Sequence, residues 1–337
     1  MARSHWLRVS IIDQTVINQS HMRKTLWIVT LMAALFAGPI VDDAARAGGG
    51  VPTGVVIVNA ASYDSVVASG SIAALFGSNL TVQTQSATAL PLPTMLGGVA
   101  VKIGGRLAPL FFVSPSQLNL QVPNGVGPGS VSIEVLGVGS SSPLSTGTVM
   151  IAESAPGVFT IDSSGRGQAS AVNSDYTWNG NFGLLQGARP EMAGSYVAIF
   201  ATGIGPTSPI VPDGEAAPVD GLAYGTGTTT VTVAGQPAPV LFSGLAPGFV
   251  GLWQINIQLP TDLPTNSATS LRITRNLSST ETTLAVTDVL FAGSQDGYVG
   301  LDQANIVIPR SLAGGGNVDV VLHVDGVATN TVTINLK

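Results

Sequence analysis

The chain has 337 residues, a formal net charge of −6 and no cysteine; 9% of its residues are charged and 45% apolar, with 41 glycines and 21 prolines. Disordered chains are poor in apolar side chains, and the glycines here follow no three-residue period, so both disorder and a collagen-like helix are excluded. The few cations are not clustered, which argues against nucleic acid as a partner, and disulfide or thiolate chemistry has no side chain to run on.

From Met22 the sequence reads MRKTLWIVTLMAALFAGPIVDDAARAGGG. Arg23 and Lys24 precede an apolar run from Leu26 to Ala37, and Ala45-Arg46-Ala47 offers a small-x-small cleavage site before Gly48, the three-part layout of a secretory leader. Residues 22–47 are therefore read as a signal peptide and residues 1–21 as a mis-assigned start. The apolar run falls short of the ~20 residues that a spanning helix needs, so the mature chain is expected to have no membrane span.

Short apolar runs punctuated by Gly, Pro, Asn and Ser follow, the pattern of many short strands. A first unit over residues 51–160 contains GSIAALFGSNL, the alternating VAVKIGG, RLAPLFFV and SPSQLNLQVP. In the last of these Leu118, Leu120 and Val122 point one way and Gln117, Asn119 and Gln121 the other, and Pro123 ends the ladder by withholding a donor. Residues 161–190 read as a polar, Gly-rich connector. Its Trp178 is either an exposed ring for stacking on a sugar or an aromatic tucked under a long loop.

A second unit, residues 191–287, repeats the order with GSYVAIFATGI, VTVAGQ, QPAPVLFSG and GLWQINIQLP, in which Gln254, Asn256 and Gln258 oppose Ile255, Ile257 and Leu259. Gly194 follows Gly70 by 124 residues, whereas Gln254 follows Gln117 by 137, so loops changed length while strand order held. Residues 288–337 form a partial third repeat that carries Gln303 and Asn305 but no counterpart of GSYVAIFATGIGP. Strands without a partner sheet leave an apolar face, so this part is expected to pack on the second unit or to pair with another molecule. The fold expected is all-β, a duplicated two-layer sandwich with a partial third copy.

In each copy the Gln and Asn lie two apart on one strand and share a face. Each amide both donates and accepts, so the motif either pins a neighbouring loop or reads a ligand. Catalytic groups are scarce. Beyond the leader His323 is the sole histidine, in the alternating VVLHVDG, and no G-x-S-x-G elbow is present, which excludes a serine triad. Asp213, Glu215 and Asp220 form a loose acidic group in VPDGEAAPVDG. This is a solvated loop, the carboxylate pair of a glycosidase, or a calcium loop that does not match the EF-hand spacing. SQDGYVGLDQ, with Asp296 and Asp302, is a weaker calcium candidate. The glycines of ATGIGP and GGVAVKIGG suit turns better than phosphate cradles. No catalytic, metal or cofactor residue is assigned; Trp178, Asp213 and Glu215 are kept as ligand candidates.

The motifs VNAASY, FGSNL, LPTMLGGVAVKIGG, SPSQLNLQVP, SAPGVFT, YVAIFATGIGP and GLDQANIVIPRSLAGGGNVDVVLHVDG together resemble the Solibacter-type uncharacterised C-terminal domain, found at the end of large secreted proteins of soil bacteria. The likeness covers nearly all of residues 54–337. It implies tandem immunoglobulin-like sandwiches akin to the IPT/TIG type, with no activity and no catalytic residues to carry over. This chain departs in holding both the GLWQINIQLP and the GLDQANIVIP endings. The function expected is that of an exported, non-enzymatic binding, adhesion or spacer module, secreted, at the cell surface or in the periplasm, with a protein or glycan partner. The alternative is a carbohydrate-active enzyme or its carbohydrate-binding accessory module.

Overall fold

The computed structural model describes residues 54–181, 184–263, 266–287, 289–294, 302–306, 315–321, 323–324, 327–328 and 331–336. The start and leader expected over residues 1–47 lie outside them. Every regular element among the described residues is a strand.

The first sandwich contains β1 (Val56–Asn59), β2 (Val66–Ala68), β3 (Ile72–Phe76), β4 (Gln85–Ser86), β5 (Val99–Ile103), β6 (Arg106–Leu107), β7 (Leu110–Val113), β8 (Gln117–Gln121), β9 (Gly129–Gly137) and β10 (Ser145–Ala152). They form two five-stranded sheets, ordered β1-β3-β8-β7-β4 and β2-β10-β9-β5-β6. The second sandwich contains β11 (Gly157–Val158), β12 (Ala171–Asn173), β13 (Glu191–Met192), β14 (Tyr196–Thr202), β15 (Thr207–Ser208), β16 (Tyr224–Gly225), β17 (Thr229–Val233), β18 (Gln236–Ala238), β19 (Val240–Leu245), β20 (Trp253–Gln258), β21 (Asn266–Arg275) and β22 (Ser278–Thr287). Its sheets run β11-β14-β20-β19-β16-β15, with β12 also on β14, and β13-β22-β21-β17-β18.

In both sandwiches the leading strand is divided between the sheets. Its first part is antiparallel to the next long strand, and its second part is parallel to the last, as Val67 opposite Ile151 and Glu191 opposite Val286 show. With the remaining strands this reproduces the ABED and CFG sheets of the immunoglobulin fold. The protein is therefore all-β, built of immunoglobulin-like sandwiches in tandem.

Strand alternation fills the two cores. Leu118, Leu120 and Val122 meet Ile103, Ile133 and Val135 in the first, and Ile255, Ile257 and Leu259 meet Ile199, Leu271 and Ile273 in the second. Each such side chain contributes about 1.5–3 kcal/mol on burial. Trp253 is fully buried, and its indole N–H donates to the Ser243 hydroxyl at 3.0 Å.

Residues 161–190, read from sequence as a connector, are built into the second sandwich. Within it β12 pairs with β14, as β11 does just before it, and Asn179 binds β22 as another strand would. Its Nδ2 donates to the Ala285 carbonyl and its Oδ1 accepts the Ala285 N–H, each at 2.9 Å. A side-chain amide here replaces ladder bonds, which is why a polar, Gly-rich sequence conceals a buried element.

The third repeat contributes β23 (Val289–Ser294), β24 (Asp302–Ile306), β25 (Gly316–Val320), β26 (His323–Val324), β27 (Val327–Ala328) and β28 (Val332–Leu336), paired as β23-β24, β25-β28 and β26-β27. Its first hairpin repeats a detail of the other two. A register shift after Leu110, Val240 or Val289 sets Phe112 opposite Asn119, Phe242 opposite Asn256 and Phe291 opposite Asn305. The side chains through which this repeat was expected to pack lie outside the described residues.

Candidate functional site

The amide motif has one geometry in both sandwiches. Gln117 Nε2 donates to Asn119 Oδ1 at 2.8 Å, and Gln254 Nε2 to Asn256 Oδ1 at 2.8 Å. Two residues on, Gln258 Nε2 donates to the Gly194 carbonyl at 3.0 Å and Gln121 Nε2 to that of Gly70 at 3.5 Å. These bonds tie the end of β20 or β8 to the turn that opens β14 or β3. Gln303 and Asn305 take the equivalent register places, opposite Gly293 and Phe291.

Gln121 carries a second bond that crosses into the other sandwich. Its Oε1 accepts the Gly214 N–H at 2.7 Å, while the Gly214 carbonyl accepts the Leu92 N–H at 2.8 Å. Beside them Asp213 Oδ1 accepts the Asn124 N–H at 2.8 Å, and Asn124 Nδ2 donates to the Val211 carbonyl at 2.9 Å. The Thr202 hydroxyl accepts the Ile72 N–H at 2.8 Å and donates to the Gly251 carbonyl at 3.2 Å. Further along, Asn59 Nδ2 donates to the Ala155 carbonyl at 2.8 Å.

Between these bonds lies a third apolar cluster shared by the two sandwiches. Ala61 and Ile72 from the first meet Phe159, Val172, Phe200, Ala246 and Leu252 from the second, flanked by Phe111, Trp178 and Phe249. Gly251 makes the closest approach. A Cβ there would lie 2.9 Å from the Gly70 carbonyl oxygen and 3.1 Å from Ile72 Cγ1 at a φ of +64°, so only glycine lets the loop sit this low.

The three ligand candidates fall in different surroundings. Trp178 is half-buried against the shared cluster. Asp213 is part of the clasp, its carboxylate engaged by Asn124, whereas Glu215 is exposed one turn on, its N–H donating to the Pro212 carbonyl at 3.1 Å. Among the described residues no three His, Asp or Glu side chains group as metal ligands would. Nor is any helix there long and apolar enough to cross a membrane.

Two features escaped the sequence reading. Arg275 is fully buried, with Nε donating to the Ile204 carbonyl at 3.1 Å and Nη1 to the Thr229 hydroxyl at 3.1 Å and the Gly227 carbonyl. Burial holds its pKa below the ordinary arginine value, and no carboxylate pairs with it among the described residues. Alternation did signal it, since Leu271, Ile273 and Arg275 share the inward face of β21. The second is Tyr63 of the first sandwich beside Asp162 of the second. Burial, and then the Asp162 charge, raise the phenol's pKa.

No family model matches this chain, and no curated protein does. Solved structures do. SGBP-B of the Bacteroides ovatus mixed-linkage glucan utilization locus, in complex with a mixed-linkage heptasaccharide, matches with a TM-score of 0.31 and 14% identity over 69% of this chain. The chain spans about half of that protein, 48% of its length. A tandem from titin matches with a TM-score of 0.19 and 8% identity over 69% of this chain and 66% of its own. The Escherichia coli adhesin FdeC gives 0.19 and 11% over 71% and 66%. At these scores the fold rests on the strand order described above.

Proposed function

We propose that the chain is an exported, non-enzymatic β-sandwich protein that serves as a binding, adhesion or spacer module outside the cell or at its surface, with a protein or glycan as partner. The observation that carries this reading is the clasp. Five side chains and a shared apolar cluster are spent on holding two immunoglobulin-like sandwiches together, the task of a scaffold that presents surfaces at fixed spacing. The leader-like residues 22–47 and the likeness to the Solibacter-type domain support export. The Asn124 N–H on Asp213 engages that carboxylate at the boundary between the sandwiches, which weighs against the glycosidase alternative.

The test uses the chain from Gly48 to Lys337 on a glycan array, on cell-envelope fractions and on a panel of labelled polysaccharides. Saturable binding without turnover is expected. Hydrolysis that disappears in Asp213→Asn or Glu215→Gln would overturn the reading in favour of an enzyme.

A further inference from the structure

One sheet of the second sandwich carries no charge. Its strands, β11, β12, β14, β15, β16, β19 and β20, hold no Asp, Glu, Lys or Arg, in a chain of net charge −6. The first sandwich covers its outward face at Phe200 and Thr202. Away from that boundary Tyr196 is 43% and Tyr224 50% exposed, and Phe242, Gln254, Asn256 and Gln258 are half-buried.

Register sets these six side chains on one face. Tyr196 stands opposite Gln258, Phe242 opposite Asn256, and Gly244 opposite both Tyr224 and Gln254. Gly244 is what seats the Phe242 ring. A Cβ there would lie 2.8 Å from Phe242 Cζ, so the ring lies over bare backbone. Tyr224 braces it edge to face, the ring centroids 5.3 Å apart at 63°.

The amides are fixed beside these rings. Gln254 Nε2 donates to Asn256 Oδ1 and Gln258 Nε2 to the Gly194 carbonyl. This leaves Asn256 Nδ2 to donate, and Gln254 Oε1 and Gln258 Oε1 to accept, with no partner among the described residues. The first copy of the motif offers no such surface, because Asn119 and Gln121 are buried and Gln121 holds Gly214.

We propose that this face binds a neutral oligosaccharide, with a pyranose ring stacked on Tyr224 and Phe242 and its hydroxyls bonded to Gln254, Asn256 and Gln258. This deepens the binding-module reading and rests on it. A sugar ring presents an apolar C–H face and a rim of hydroxyls that donate and accept, which aromatic rings beside oriented amides match. An acidic glycan or a phosphate-bearing ligand finds no cation here, and a wholly apolar partner would strand the amides without hydrogen bonds. From β14 to β16 the face spans about 14 Å, at ~4.8 Å between neighbouring strands, so a short oligosaccharide lies across it.

The test runs the full chain in native gels cast with hydroxyethylcellulose, glucomannan, arabinoxylan or dextran, and with polygalacturonate as the acidic control. At least one neutral polymer is expected to retard the parent, and polygalacturonate is not. Tyr224→Ala and Asn256→Ala should each weaken that binding about threefold to tenfold, with the far-ultraviolet circular dichroism unchanged. Tyr224→Phe should keep it, as should Tyr176→Ala, which removes an exposed ring elsewhere. Retardation that survives both alanine variants overturns this site while the binding-module reading stands. Absence of retardation in every neutral polymer also overturns the site, whereas release of reducing sugar overturns the non-enzymatic reading itself.

Discussion

Gln121 Oε1 accepts the Gly214 N–H at 2.7 Å, joining the end of a core strand in one sandwich to a loop of the other. Its counterpart in the repeat, Gln258, makes no bond across a boundary among the described residues and ties down its own turn at Gly194. Truncating Gln121 strands a buried N–H, whose desolvation costs about 1–3 kcal/mol, while truncating Gln258 loses one ordinary bond worth about 0.5–1.5 kcal/mol. Denaturant titration of Gln121→Ala and Gln258→Ala should show the larger loss for the first. Equal losses would mean that the bond across the boundary adds nothing.

Asp213 distinguishes a clasp from a ligand site. Asp213→Asn keeps an oxygen facing the Asn124 N–H and is expected to cost about 1 kcal/mol or less, whereas Asp213→Ala removes the acceptor and costs about 1.5–3 kcal/mol. Glu215→Gln, at an exposed side chain, should stay within about 0.5 kcal/mol. Calcium should leave the Tm of all three and of the parent unchanged. A calcium-dependent rise in the parent, lost in Asp213→Asn, would restore the metal reading.

Strands and cores were legible because alternation is local. Leu118, Leu120 and Val122 declare their face without reference to anything distant. The clasp was not, although its trace was visible in the thirteen residues by which the two offsets differ. Six of these lie between Tyr196 and Phe242, the stretch containing Asp213 and Gly214, and seven between Phe242 and Gln254, the stretch containing Ala246 to Leu252. Both loops grip the first sandwich. A loop's partner is set by tertiary approach and has no period to read, and glycine-rich loops such as APGFVGL resemble ordinary turns. The same limit hid Asn179, whose role depends on a strand 106 residues away.

Asn179 is the strongest single test of the second sandwich's first third. Asn179→Ala leaves both the N–H and the carbonyl of Ala285 without partners and removes an acceptor from Gln168, so a loss of about 3 kcal/mol or more is expected. Asn179→Asp keeps the shape but sets a carboxylate oxygen against the Ala285 carbonyl. That buried acid's pKa should rise in the folded state. Its folded form is then supported below the ordinary carboxylate pKa, where the proton supplies the missing donor, and weakens as pH rises through the folded value. Thermal melts that show no pH dependence beyond that of the parent would contradict this account.

Tyr63 and Asp162 give the boundary a pH dependence with two limbs. Burial pushes the Asp162 pKa up, but the N–H and hydroxyl of Ser164, at 3.0 and 2.8 Å, together with the Thr160 hydroxyl and its own N–H, outweigh it, and the net value lies below 3.8. A lowered acid stabilises the fold above its unfolded pKa, so this contribution is present above pH 3.8 and is lost as pH falls through the lower folded value. Tyr63 runs the other way. Its pKa is raised above 10.0, so the neutral phenol's contribution is complete below pH 10.0 and is lost as pH rises through the folded value. Asp162→Asn should flatten the acid limb and lower the Tyr63 pKa only partly, because burial is the larger cause of its shift. Phenolate absorbance of the parent minus that of Tyr63→Phe isolates the single titration. A Tyr63 that ionises at 10.0 in the parent would show that the ring is not covered at this boundary.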